Sequence, residues 1–177
     1  MGGFEVSYLL LSWEMRIDVL SRAKKKKFIE GLSNLGIKKI PQMLVRSGKE
    51  RIRAFSGDLD REAVMNIWHL LPIEGIGLYV GKDMVNRNGV REVRLSLDGM
   101  HVWKNQLGER VIDLDEEQER DWFLGRDIEL SSEQKIEAGF VCVRGGKDFV
   151  GIGKVGADGK MLFGFLPKER RRKERMN

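Results

Sequence analysis

VGIGKVGADGKMLFGFLPKERRRKER, residues 150–175, carries two signals that pull toward different functions. Gly151, Gly153 and Gly156 spell G-x-G-x-x-G, the spacing of a loop that grips nucleotide pyrophosphate, and the stretch then closes in a basic run. A dinucleotide fingerprint needs its glycines between a strand and a helix, because the N–H groups at the helix start hold the pyrophosphate. Here the glycines sit in a strand-like run, Asp158-Gly159 supplies a turn, and the residues after it read as another strand. No helix follows to provide the anion site. The pattern is therefore read as part of a β-meander, with strands over residues 140–144, 149–155 and 161–165 joined at Gly145-Gly146 and Asp158-Gly159. By the same logic Gly75, Gly77 and Gly81 mark a curved or closely approached strand rather than a cofactor loop.

Upstream of the meander, Asp115 and Gln118 form a capping-box pair, Glu116 and Glu117 complement the dipole of the first turn, and Gly125 ends the helix. Val111-Ile112 reads as a short strand before it. Asp98 is expected to cap a short helix through Gln106, closed by Gly108. Residues 76–80 and 93–97 read as strands separated by the turn Asn86-Arg87-Asn88-Gly89. A helix starting at Asp58 or Asp60 buries Leu59, Ala63, Val64, Ile67, Trp68 and Leu71, and Pro72 stops it. Residues 43–45 and 51–55 flank Ser47-Gly48 as a hairpin. Ser21 caps a helix through about Leu35, with Gly36 at its left-handed exit. Lysines 24–27 at the start of that helix oppose its dipole, so something other than local helix stability is expected to favour them. Phe4, Val6, Tyr8 and Leu10 alternate like a strand.

With 177 residues, 41% of them hydrophobic, the chain can bury a core and hold one domain or two small ones. Its single cysteine, Cys142, excludes a disulfide framework, and Cys142, His69 and His101 lack metal-ligand spacing. No apolar stretch reaches the roughly 18 residues that cross a bilayer, so a cytoplasmic protein with no membrane partner is expected. The net charge of +5 is segregated: residues 168–175 carry +4, residues 16–53 carry +9, and residues 109–137 carry −7. Such a chain can turn a positive face to a polyanion while its acidic segment points elsewhere.

Together, "DEEQERDWFLGRDI" and "GFVCVRGGKDFVGIGKV" resemble the PUA domain, a compact RNA-binding pseudo-barrel. With "IEGIGLYVGK" and "REVRLSLDGMHVWKNQLGERVIDL" ahead of it, the stretch from about 59 to 168 is similar to two groups. One comprises the small pre-PUA plus PUA proteins of archaea and eukaryotes that assist large-subunit ribosome assembly. The other is the C-terminal extension of Sun/Fmu-type RNA cytosine-5 methyltransferases. The resemblance implies an α+β chain with an α/β pre-PUA domain over residues 1–107 and a PUA pseudo-β-barrel with a basic tail over residues 108–177. It also implies that the loop after the acidic helix, with Arg126, faces RNA. Residues 1–40 match no known pattern.

The expected function is non-enzymatic RNA binding, of rRNA in ribosome biogenesis or, alternatively, of tRNA or rRNA as the recognition subunit of a separate cytosine-5 methyltransferase. Ribosome-assembly factors or that methyltransferase are the expected protein partners. Lys147, Lys154, Lys160, Lys168, Arg170, Arg171, Arg172 and Lys173 are expected to converge into one stripe that neutralises phosphates. No catalytic residue, metal or cofactor is expected: Cys142 alternates between Val141 and Val143 in a strand, as a core side chain does. Two rivals are an enzyme acting on a nucleotide, for which S-adenosylmethionine binding would speak, and a protein adaptor using the acidic helix. Among the tryptophans, Trp68 and Trp122 lie on apolar helical faces and read as core. Trp13 and Trp103 remain candidates for base stacking.

Overall fold

The computed structural model describes residues 17–173 apart from Pro72 and Glu74. The alternation of Phe4, Val6, Tyr8 and Leu10, the ring of Trp13 and the helix stop at Pro72 lie outside the described residues. The described residues are α+β and form two compact units, one of residues 17–31 and 39–93, the other of 32–38 and 94–173. The expected boundary at residue 107 falls inside the second unit.

In the first unit, strands β1 (Ile17–Val19), β2 (Met43–Ser47), β3 (Arg51–Phe55) and β4 (Leu78–Val85) follow one another in sheet order, antiparallel; β5 (Arg91–Leu95) joins the far edge, and from Arg94 on its residues count with the second unit. Helix α1 (Arg22–Glu30) is capped by Ser21 as its sequence requires. Its lysines have local partners: Lys24 meets Asp18 at 2.6 Å, and the Lys25 ammonium donates to the Gln42 carbonyl at 2.8 Å, with burial lowering its pKa. These contacts tie the helix start down, which accounts for cations at an end its dipole disfavours. The helix stops five residues short of Leu35, because residues 32–38 belong to the second unit. There Lys38 donates its N–H to the Gln106 side chain at 3.0 Å and pairs with Glu109 at 3.2 Å. Residues 33–35 form a single 3₁₀ turn, and Gly36 makes the expected left-handed exit at φ 99°.

Helix α2 (Arg61–Leu70), capped by Asp60, lays Val64 and Trp68 against Ile17, Val19 and Val45. On β4, Asp83 is 8% exposed and holds two guanidinium groups: Arg91 donates twice at 2.7 and 3.0 Å, and Arg46 donates at 2.6 Å. Burial opposes its ionisation, but the hydrogen bonds and charges of Arg91 and Arg46 outweigh that cost and hold its carboxyl below the usual carboxylate range.

The second unit builds its sheet in the order β6 (Val111–Leu114), β8 (Gly139–Gly145), β9 (Asp148–Val155), β10 (Met161–Gly164), β7 (Ile128–Glu129). The β6–β8 pair is parallel and the others are antiparallel. The sheet curls as a half-barrel around helix α4 (Glu116–Leu124). The capping box of Asp115 and Gln118 is present as expected. Strand β7, only two residues long, leaves no periodic pattern to read. A further helix, α3 (Leu97–Val102), packs against β9. Its cap is Ser96, whose hydroxyl accepts from the Gly99 N–H at 3.0 Å, not Asp98. The helix gives way to a 3₁₀ turn at Lys104–Gln106, with Trp103 buried.

The glycines of β9 have a packing reason. A Cβ at Gly151 would stand 2.6 Å from the Trp122 ring, one at Gly164 would stand 3.1 Å from the same ring, and one at Gly153 would strike Leu162. Trp122 is 1% exposed and donates its indole N–H to the Val150 carbonyl at 3.3 Å. Gly151 and Gly164 thus clear the sheet for an indole, and Gly153 makes room for Leu162.

Two stability measurements follow from these contacts. Gly151→Ala forces a rigid buried ring to move and is expected to lower unfolding stability by about 2 kcal/mol in urea melts. Asp83→Asn leaves two arginines facing a neutral amide and is expected to cost about 3 kcal/mol at pH 7. Because the folded-state pKa of Asp83 is depressed, its contribution is present above the unfolded value of about 4 and is lost as pH falls through the folded value. The wild type should therefore lose stability below about pH 4 more steeply than Asp83→Asn, measured by urea melts across that range.

Candidate nucleic-acid interface

Helix α4 ends in a Schellman arrangement. Gly125 at φ 79° donates to the Trp122 carbonyl at 3.0 Å, and Arg126 donates to the Asp121 carbonyl at 3.0 Å. That leaves the Phe123 carbonyl, which accepts from the backbone N–H of Arg172 at 2.7 Å. The segment after β10 therefore folds back on the helix end instead of trailing away. Leu166 is buried beneath it, the Arg171 Nε donates to the Leu166 carbonyl at 3.1 Å, and the Arg172 guanidinium lies 4.6 Å from the Phe123 ring centroid. A Cβ on Gly125 would strike the Arg171 side chain at 2.6 Å, so Arg171 runs directly along the helix-ending loop.

Three guanidinium groups, from Arg126, Arg171 and Arg172, thus gather at the negative end of a helix dipole, where positive charge is stabilised. All three residues are exposed. Arg126 also pairs with Asp121 at 2.7 Å. Lys168 and Lys173 are exposed on the same folded-back segment, while Arg170 reaches Asp98 at 3.5 Å.

Of the expected stripe of strand lysines, Lys147 and Lys160 stand at opposite ends of β9. Lys147 lies in the turn before β9 and Lys160 just ahead of β10, so about 23 Å of strand separates them at about 3.3 Å per residue. Lys147 stands at the acidic end: Gly145 pairs with Leu114, a Cβ on Gly145 would meet the Glu119 carboxylate at 2.7 Å, and Asp115, Glu116 and Glu117 follow at the start of α4. Nearby, Arg144 is held by Asp113 at 2.5 and 2.8 Å, which lowers the Asp113 pKa through the hydrogen bond and charge of the arginine. A groove of about 540 Å³ at this end is lined by Asp113, Asp115 and Glu133 against the single cation Lys135, so acids outnumber bases there. Lys160 lies beside β7, its carbonyl accepting from the Leu130 N–H at 2.8 Å. Lys154 is in the middle of the sheet, its ammonium 5.2 Å from the Phe140 ring. The run at residues 22–27 lies in the first unit.

Sequence reasoning missed Phe123 as the seat of Arg172, since the pairing joins a helix end to a segment nearly fifty residues later. Trp103 and Trp122 are buried and offer no base a surface, and His69 and His101 are exposed. Among the described residues no group of three or more His, Cys, Asp or Glu is arranged to hold a metal ion.

Residues 109–172 match a family model described as the methyltransferase RsmF PUA domain. No curated protein matches the chain significantly. The matched segment runs from just before β6 to Arg172, so it takes in the half-barrel, α4 and the folded-back arginines together. PUA domains are RNA-binding modules, and the match covers this segment of the chain alone.

The family is named for a methyltransferase, and cytosine-5 methylation works through a cysteine thiolate. Cys142 is fully buried in β8, opposite Ile152, and burial pushes its thiol up to about 12. It is a small apolar side chain of the sheet. Folded protein treated with iodoacetamide at pH 8 should stay unmodified over hours, while protein in urea should be alkylated fully, as read by intact mass.

Proposed function

We propose, from a chain whose residues 109–172 form a PUA domain related to the C-terminal extensions of Sun/Fmu-type RNA methyltransferases, that this protein binds structured RNA without acting on it chemically. The observation that carries the reading is the gathering of Arg126, Arg171 and Arg172 at the end of α4, with Lys168 and Lys173 on the same segment. Arginine forks match phosphate geometry, and two of these three are positioned by backbone contacts that order the chain before RNA arrives. The acidic groove and the acid-rich start of α4 stand at the other end of the same helix, so a polyanion has one favourable approach.

The RNA we favour is rRNA in an assembling large ribosomal subunit, met in the cytoplasm, with assembly factors as neighbours. A second reading is favoured by the family of the match: the protein presents tRNA or rRNA to a separate cytosine-5 methyltransferase. Crosslinking to cellular RNA followed by sequencing separates them. Large-subunit rRNA favours the first, and RNA carrying a 5-methylcytosine site, recovered with a methyltransferase, favours the second.

With about five phosphate contacts to single-stranded RNA, log affinity should fall with log salt at a slope near −3.5, roughly 100-fold between 50 and 200 mM. Combined Arg126→Glu, Arg171→Glu and Arg172→Glu should weaken binding at least tenfold and reduce that slope by about two. Lys147→Glu should change affinity less than twofold. Fluorescence anisotropy checks both, with thermal melts confirming that the triple variant is folded; unchanged binding by the folded triple variant removes the α4 end from the interface.

A further inference from the structure

The outer face of the half-barrel sheet carries a second feature. On its inner face Gly151, Gly153, Val155, Leu162 and Gly164 meet Trp122 or the core around it. The alternate residues point the other way. Near the middle, α3 packs on β9 and Cys142 and Ile152 are buried. Beyond that cover, Lys154 pairs across the sheet with Phe140 on one side and Phe163 on the other, and Phe165 continues the same face, its N–H donating to the Ile152 carbonyl at 3.3 Å. Phe163 is 42% exposed and Phe165 39%.

Large apolar rings left open on a sheet face cost solvation free energy, and a cluster of them marks a surface that something covers. Its neighbours indicate what. The Phe140 and Phe165 rings lie 5.9 Å apart and tilted, Lys154 sits over the first, and the Arg94 guanidinium sits 4.5 Å over the second. Rings interleaved with cations suit a partner with flat π faces on an anionic backbone, and they suit a purely apolar protein groove poorly. The patch also connects to the α4 end. From Phe165 the chain passes buried Leu166 and Arg170, which reaches Asp98 at the start of α3, and arrives at Arg172 seven residues later, at most about 24 Å of extended chain.

We infer that Phe163 and Phe165, flanked by Lys154 and Arg94, form a stacking platform for unpaired bases of a single-stranded RNA segment. This rests on the RNA-binding reading above and adds to it a preference for unpaired nucleotides, which phosphate contacts alone do not give.

The test is anisotropy with a fluorescein-labelled uridine 12-mer, an abasic oligomer of the same length, and an RNA duplex, using the full chain. The wild type should prefer the uridine 12-mer over the abasic oligomer by at least tenfold. Phe163→Ala with Phe165→Ala should abolish that preference, leaving the salt slope and duplex affinity within twofold of wild type. Phe163→Leu with Phe165→Leu keeps apolar surface without a ring and should behave like the alanine pair, which guards against a fold defect in the latter. If the wild type binds all three RNAs and both pairs of variants retain the uridine preference, the platform is wrong while RNA binding stands. If the wild type ignores every RNA at 50 mM salt, the broader reading fails. If sedimentation shows a wild-type dimer that the variants abolish with RNA affinities unchanged, the patch is a contact between copies of this chain and the inference is overturned.

Discussion

The seating of one indole organises the second unit. Trp122 can lie flat on the sheet only because Gly151 and Gly164 present no Cβ beneath it. A fully buried aromatic contributes a large share of the stability of a domain this small. Its N–H to Val150 fixes the rotation of α4 as well as its distance from β9. Once α4 is held, Gly125 and Arg126 have fixed positions, and so does the Phe123 carbonyl that receives the chain after β10. The positions of Arg171 and Arg172 are thus consequences of a glycine spacing in a strand some twenty residues earlier. A mutation in the core at this point would be felt at the surface, since cores transmit strain instead of absorbing it.

Much of this was legible from residue types with strong local meaning. Asp115 with Gln118, Gly125, Ser21 and Gly36 each fulfil the local geometry they signal, because caps and left-handed exits depend on neighbours within four residues. Gly151 and Gly153 lie within a strand, as their flanking residues signal, although their partners Trp122 and Leu162 could not be named from spacing alone. The extent of α1 was misread because Leu32 and Leu35 continue its apolar face in sequence while belonging to the other unit in space. Ser96 and Asp98 are both good caps, and the contact that chooses between them, the Gly99 N–H, depends on where β5 ends.

Proximity was harder to read than local geometry. Lys147 and Lys160 come from neighbouring turns in sequence, but turns before and after one strand must lie at its opposite ends. A row of cations along a meander is therefore split between two ends, whatever its net charge. What does gather is less obvious in sequence: Arg126, with a local acidic partner, and a C-terminal run that could equally have been a solubilising tail. Their meeting rests on contacts across almost fifty residues, the Arg172 N–H to the Phe123 carbonyl among them, and no periodicity reports such contacts.

The charge pattern of α4 can be explained without function, and that is what makes it useful to function. Glu116, Glu117 and Glu119 at its first turn are stabilised by the helix dipole, and so are the arginines that gather just beyond its C-cap, Gly125. The same order makes the domain bipolar, with an acidic groove at one end and guanidinium groups at the other. A polyanion approaching at random is turned by that field before it touches the surface, and the orientation adds nothing to the stability cost of the site. Where charges chosen for a helix also set the approach of a ligand, stability and binding are not in conflict. The arginines can then be exposed without being mobile, because the backbone that carries them completes the helix they stand on.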